Sequence, residues 1–483
     1  MARLHGRDVD VGVLVTRREF LDTTGGRFAG ALLYDTLVAR AGEWPEDDPR
    51  PFVGVGAEVL ESIRCREAQA IGMLDRWNWT GASFMAMRRL YLRYAEIWDT
   101  YLRERPPDVV VFHGEPHRGF DWVLYALCQE RGIPTGIISY TQLESRLIIT
   151  GSIEELPGSA SRLGEMRATE PDEVRAPSSY YVDHVITRQR DVDSLRRRLS
   201  IRHALMSMGA MRKLREVFQP YPMVFPNVVP DSPTSFAERK LENLRMRRRI
   251  HRSLRIYEAA ARPPDLDAPY VYYPIHLQPE ATTLPMGGVM SDQLNNIRLL
   301  AAALPERWTV VAKEHPQMLK FTKEWPRARG ALFYEELCSI PNVRVAPVEF
   351  SSRRLIAHAR VVATTTGTAG WEALLGGKFV LFFGFPWYAR CPGAVSVRSS
   401  DECRAAFASV ADNGFENDKR LVQAFVDEFT ASHTFLGIWQ DAAEGHSSYD
   451  RDTLLAGTAG AIRRWAMGAT ASVLHPQGRP TPR

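Results

Sequence analysis

Thr364-Thr365-Thr366-Gly367-Thr368-Ala369-Gly370 places four hydroxyls in five positions, between a β-branched run and an apolar helical pattern. Side chains this small let a backbone approach an anion closely. The free N–H groups of a helix's first turn, together with hydroxyls, can hold a phosphate. A helix start needs one capping hydroxyl, so a plain N-cap leaves three threonines unexplained. The segment is neither a GxGxxG nor a Walker loop, and no generic mononucleotide motif is claimed. One turn on, Glu372 is placed to accept from ribose hydroxyls, or to be an ordinary solvated helix position.

Two further loops carry chemistry in the same half. Lys313-Glu314-His315-Pro316 follows an apolar run; Pro316 fixes the turn, and His315 is a donor for a phosphate oxygen or a leaving group. The same His-Pro pair recurs at His475-Pro476 with no strand before it, and there it carries no meaning. After the run at 270–274 come His276, Gln278, Pro279 and Glu280, where the proline forces an exposed loop and Gln278 and Glu280 can face a ligand. In the N-terminal half, residues 113–119 read His113-Gly114-Glu115-Pro116-His117-Arg118-Gly119, two imidazoles, a carboxylate and a guanidinium in seven residues. Either histidine alone is more simply structural; the cluster suits acid–base work.

These loops need elements that hold them at one level. The runs at 108–112 and 134–139, with a helix between them to Glu130 capped by Gly132, form a strand–helix–strand crossover. The apolar stripe of 83–105 is a core helix, stopped by Pro106-Pro107. From 268 the grammar repeats: strands at 269–274, 308–313, 342–346, 360–364 and 378–384, and helices at 291–304, at 352–359 behind a Ser351 or Ser352 cap, and from 368 to Gly376-Gly377. Ligands in such sheets bind beyond the carboxyl ends of strands, where all four loops fall. VGVLV at 11–15 is another strand, followed by a turn at 23–27 that reads most simply as a βα loop.

The expected organisation is an α/β chain of two Rossmann-like domains facing a cleft. Residues 1–150 form the N-terminal acceptor and catalytic domain, 151–265 a basic helical insertion, 266–400 the nucleotide-sugar-binding domain, 401–467 C-terminal helices and 468–483 a disordered tail. At 483 residues, with 45% hydrophobic and 24% charged content, two domains can each bury a core. Net charge is only +4, but residues 186–262 hold 18 Lys and Arg against 7 Asp and Glu. A solvated helix face is the bland reading; a surface for an anionic lipid or glycan is the sharper one. Nucleic acid is not expected, since that segment has few aromatics and no reader motif. Five scattered cysteines make no CxxC pair, and no metal site is expected. The N-terminus lacks an apolar signal region and no run reaches membrane-span length, so the expected place is the cytoplasm, with contact to the inner-membrane surface as a further expectation.

The segments YYPIHLQPEATT, KEHP and TTTGTAGWEALLGGKFVLFFG resemble the capsule polysaccharide synthesis family, which includes capsular Kdo transferases. The resemblance spans roughly residues 265–390, with a looser likeness at 108–140. GT-B bacterial sialyltransferases also use an HP motif to hold a CMP-sugar. The resemblance implies a GT-B fold whose C-terminal half binds the donor nucleotide through Lys313, Glu314, His315 and Pro316, and through Thr364, Thr365, Thr366, Gly367, Thr368 and Glu372. It also implies an acid or base from the N-terminal half. A sialyltransferase-type motif of two acidic residues and glycine is not evident, so Glu115 is the substitute candidate and His117 the second, with His113, Gly114, His276, Gln278 and Glu280 as substrate-loop residues.

The expected function is therefore a metal-independent glycosyltransferase of surface polysaccharide or glycolipid synthesis, without a cofactor. It would use a CMP-activated acidic sugar of the Kdo kind and an anionic glycan or glycolipid acceptor. The rivals are a glycerophosphotransferase acting on CDP-glycerol, a non-catalytic nucleotide-sugar-binding or export-coupling protein, and a sugar epimerase of the same frame.

Overall fold

The structure, a computed structural model, describes residues 10–22, 28, 30–76, 78, 82–157, 236–278, 280–319, 329–438 and 447–474. The turn at 23–27 and the basic stretch 186–235 lie outside the described residues, as does His475-Pro476.

Two α/β units carry the cleft. In the first, β1 (Val13–Thr16) and β2 (Leu32–Asp35) form a parallel pair. Helix α1 (Arg64–Arg76) and the long α2 (Phe84–Glu104) pack beside them. The α2 stripe is as its spacing predicts: Met87, Leu90, Tyr91, Tyr94, Trp98 and Tyr101 are all buried, at i, i+3, i+4 and i+7 steps. The Ser83 hydroxyl accepts the Ala86 amide at 3.1 Å and starts the helix. Strand β3 (Val110–His113), α3 (Phe120–Glu130) and β4 (Thr135–Tyr140) make the expected parallel crossover, with Gly132 at φ +65 just past α3. Strand β5 (Arg146–Thr150), not foreseen, returns antiparallel to β4.

In the second unit, α4 (Phe236–Ala260) precedes β6 (Tyr270–Pro274), α5 (Gln293–Ala303), β7 (Thr309–Lys313), α6 (Ala331–Ser339) and β8 (Val343–Val345). Then come α7 (Ser352–His358), β9 (Val361–Thr364), α8 (Thr368–Leu375), β10 (Phe379–Phe382) and β11 (Ala394–Ser396). The six strands are parallel, in the order β11-β10-β9-β6-β7-β8. The chain leaves β6 toward β7 and β8, then crosses to β9 and leaves the other way. The β6/β9 boundary is therefore the topological switch point, where the loops after two neighbouring strands diverge and open a crevice. Alternate residues of β6 point to opposite cores: Val271 and Tyr273 to one, Tyr270 and Tyr272 to the other.

Three expectations change. Helix α4 is not part of a separate insertion: Leu254 and Tyr257 belong to the second unit's core, and the Tyr257 hydroxyl donates to the Ala346 carbonyl at 2.6 Å. Strand β11 extends the sheet beyond the run at 378–384. After α9 (Ser400–Asp412) and α10 (Lys419–Ser432), the chain returns to the first unit. There β12 (Phe435–Leu436) pairs with β5, and α11 (Arg451–Leu474) packs on β4, continuing as helix through 468–474, where a disordered tail was expected. A Cβ on Gly136 of β4 would lie 2.8 Å from the Trp465 ring, so that strand accepts the helix only through a glycine. Among the described residues no helix is long and apolar enough to cross a membrane.

Candidate active site

A cleft of about 650 Å³ opens between the two units, beyond the carboxyl ends of β3 and β9. The first unit contributes Arg76, Glu115, His117 and Ser139; the second contributes Glu280, Thr282, Thr366, Thr368 and Trp387. The Trp387 indole N–H donates to the Gln142 side-chain oxygen and ties the two walls together.

The loop after β3 needs glycine at both ends: Gly114 has φ +100 and Gly119 φ +85. Between them the polypeptide folds on itself. His117 Nδ1 lies 2.6 Å from the Glu115 carbonyl. A carbonyl only accepts, so the proton is on Nδ1 and Nε2 is left as an acceptor. Burial pushes the His117 imidazole below its ordinary value, which keeps it neutral. Burial likewise pushes the Glu115 carboxyl up, against a hydrogen bond from Ser139 that favours the charged form. His113, at the end of β3, is exposed and is not among the described residues lining the cleft.

The loop after β9 opens α8. Gly367 is the N-cap, in extended conformation, and its amide donates to the Thr364 hydroxyl at 3.0 Å. Of the four threonine hydroxyls, three are engaged by the protein. Thr364 meets His276 Nε2 at 2.7 Å. Thr365 meets the Tyr273 hydroxyl at 3.2 Å. Thr366 donates to the Thr282 carbonyl at 2.6 Å. Thr364 and Thr365 are turned into the core, while Thr366 and Thr368 reach the cleft. Among the described residues nothing accepts from the Thr368 and Ala369 amides. An anion at this helix mouth is thus offered two amides and the Thr368 hydroxyl.

His276 is buried and serves the loop. Its Nε2 accepts the Thr365 amide at 3.2 Å, its own amide donates to Gln293 Oε1 at 2.6 Å, and its carbonyl accepts from Arg329 at 2.7 Å. Burial, then the nearby Arg329 charge, push its pKa down to about 3. Gln278 is half-buried and, unlike Glu280, is not among the described residues lining the cleft.

The turn after β7 lies two strands from β9, with β6 between. Lys313 is buried, donates to the Ser352 hydroxyl at 3.0 Å, and is pushed down to about 8 by burial. Glu314 is fully buried. It accepts from the Tyr334 hydroxyl at 2.6 Å and the His315 amide at 2.7 Å, and pairs with Arg329 at 3.6 Å. A buried polar chain therefore runs from the threonine loop through His276, Arg329 and Glu314 to His315. His315 itself is half-buried, as is Pro316, and neither is among the described cleft residues. Glu372 is half-buried on α8 and is not among the described residues lining the cleft.

One cleft residue gave no signal in the sequence. Arg76 ends α1 and is 5% exposed. It donates to the Leu284 carbonyl at 2.7 Å and the His117 carbonyl at 3.3 Å, so it touches both units. Among the described residues no three of His, Cys, Asp or Glu are grouped as metal ligands.

No curated protein matches the chain. Among solved structures it is similar to the β-Kdo 2,7-transferase KpsC of Thermosulfurimonas dismutans, at 14% identity over 72% of this chain and 87% of that one, TM-score 0.30. It is also similar to the β-Kdo 2,4-transferase KpsC of the same organism, at 13% over 74% and 86%, TM-score 0.29. A UDP-GlcNAc 2-epimerase from Methanocaldococcus jannaschii follows at 13% over 71% and 82%, TM-score 0.23. Residues 282–437 match the family model described as capsule polysaccharide biosynthesis protein. That match begins at the loop after β6 and runs through the threonine loop to β12, and over this part the chain is similar to the capsule polysaccharide biosynthesis family.

Proposed function

We propose that this protein is a GT-B glycosyltransferase of surface polysaccharide or glycolipid synthesis, with a nucleotide-activated acidic sugar of the CMP-Kdo kind as donor. One observation carries the reading: the helix mouth at Thr366 and Thr368 and the acid–base loop at Glu115 and His117 line the same cleft, from different units. A phosphate at the α8 N-terminus puts the sugar between the walls. Glu115, its basicity raised by burial, takes the proton of the acceptor hydroxyl. The acceptor oxygen bonds to the anomeric carbon as the bond from that carbon to the phosphate oxygen breaks. The nucleoside monophosphate leaves with the electron pair, stabilised by the Thr368 and Ala369 amides. His117, neutral and hydrogen-bonded to the Glu115 carbonyl, orients the acceptor through Nε2. In this reading no metal ion is required, and the exposed arginines of α4, Arg245, Arg248, Arg249, Arg252 and Arg255, face an anionic acceptor or the inner-membrane surface.

Product analysis with CMP-Kdo, CDP-glycerol and UDP-sugars tests the reading. Transfer from CMP-Kdo with release of CMP is expected. Turnover of CDP-glycerol alone would assign the glycerophosphotransferase, and nucleotide binding without hydrolysis or transfer would assign a binding protein.

A further inference from the structure

Arg76 is a buried cation in the cleft wall. Its guanidinium has five N–H groups. Hydrogen bonds are made to the Leu284 and His117 carbonyls, and its Nε has no partner among the described residues. It makes no ion pair among them either. Asp121 and Glu280 are the carboxylates whose fields favour its charged form. Asp121 is committed to the start of α3, where its Oδ1 accepts the Arg118 amide at 2.7 Å and the Trp122 amide at 2.8 Å. Glu280 lines the same cleft. Burial outweighs both fields and pushes the Arg76 pKa down to about 10. A buried charge is costly unless an ion pair or hydrogen bonds compensate it.

We propose that Arg76 is the anion-coordinating residue of the cleft, taking an oxyanion of the substrate between itself and the α8 N-terminus. This rests on the glycosyltransferase reading for the substrate's identity but not for its charge. The oxyanion is either the donor phosphate or the carboxylate of the acidic sugar. Guanidinium suits both because it presents parallel N–H donors to two oxygens at once, which lysine does not. The bond to the His117 carbonyl gives the contact a second effect. An anion that draws on Arg76 also acts on the loop that carries Glu115 and His117, so binding and placement of the base are linked.

The test titrates wild type, R76Q and R76K with CMP, cytidine, inorganic phosphate and free Kdo, following heat of binding and melting temperature. Wild type is expected to bind CMP better than cytidine if the phosphate is the partner, and free Kdo if the carboxylate is. R76Q should weaken the oxyanion ligand by about tenfold to a hundredfold and leave cytidine unchanged. R76K, which keeps charge but loses the fork, should fall between. Ligand-free R76Q should melt within a few degrees of wild type, because a charge without a partner adds little stability. The proposal is overturned if R76Q or R76K binds these anions as wild type does, or if wild type binds none of them. A large loss of ligand-free stability in R76Q, with unchanged anion affinity in R76K, makes the residue structural and also overturns it. Phosphate or Kdo binding that depends on Arg76 without any CMP-sugar turnover keeps the proposal and removes the glycosyltransferase reading.

Discussion

The Thr365 amide donates to His276 Nε2 across 3.2 Å, and that bond decides where the imidazole proton sits. An N–H cannot face an N–H, so Nε2 is bare, the proton is on Nδ1, and the doubly protonated ring is excluded while the loop keeps this shape.

Stability should therefore depend on pH through His276. Its folded pKa is about 3, below the ordinary 6.5 of the unfolded chain. Between those values the unfolded state binds more protons, so stability rises with pH there. The contribution is complete above about 6.5 and is lost progressively as pH falls toward about 3, at up to about 1.4 kcal/mol per pH unit. Urea denaturation at pH 7 and pH 5 reads the slope, and H276Q should flatten it.

Gly367 has no room for a side chain. A Cβ there would lie 2.7 Å from His276 Cε1 and 2.9 Å from the Thr364 hydroxyl. G367A is expected to cost about 1–3 kcal/mol and to shift the helix mouth. Denaturant midpoints give the first effect; loss of nucleotide affinity gives the second.

For Glu115, E115Q should reduce turnover at least about a hundredfold while donor binding stays near wild type. Since burial raises this carboxyl's pKa above the ordinary 4.5, kcat/KM should fall on the acid side at a higher pH than a solvated glutamate would give. That acid limb should be absent from whatever activity E115Q retains. A pH–rate profile of both proteins decides it.

Glu314 balances Arg329, and the two side chains are 0% and 2% exposed. E314Q leaves the arginine charge buried without its partner and should cost about 3–5 kcal/mol. Thermal unfolding measures this, and R329M with E314Q should recover much of the loss.

His315 reports on a different question. It is half-buried, so H315A should leave the melting temperature nearly unchanged. Transfer should nonetheless drop at least about a hundredfold if the imidazole reaches the donor phosphate in the occupied protein. Full turnover in H315A would confine the donor site to the threonine loop and its neighbours.

Periodic elements were the legible part of this fold. Phe84–Glu104, the 108–139 crossover and the Ser351 cap of α7 follow from apolar spacing and capping chemistry. The threonine loop was legible as a helix mouth, because small residues between a strand and a helix announce one. That three of its hydroxyls turn to the protein was not, since their partners, Tyr273, His276 and Thr282, sit some ninety residues away. His276 looked like a ligand residue for the same reason: a polar side chain in a loop reads identically whether it faces solvent or a neighbouring loop. Arg76 was invisible because an arginine in the last turn of a helix is usually a solvated cap. Strands β2, β5, β11 and β12 were missed, β11 and β12 for want of length, with three and two residues.

The closing strand at Phe435–Leu436 and the helix over it have a consequence for biosynthesis. The N-terminal sheet borders on a segment translated some three hundred residues after β5. While the second unit can assemble as it leaves the ribosome, the first waits with β5 as an uncovered edge until β12 emerges. A nonsense mutation near residue 430 would therefore strike the far end of the polypeptide from itself, leaving the nascent Glu115 wall open to chaperones and proteases.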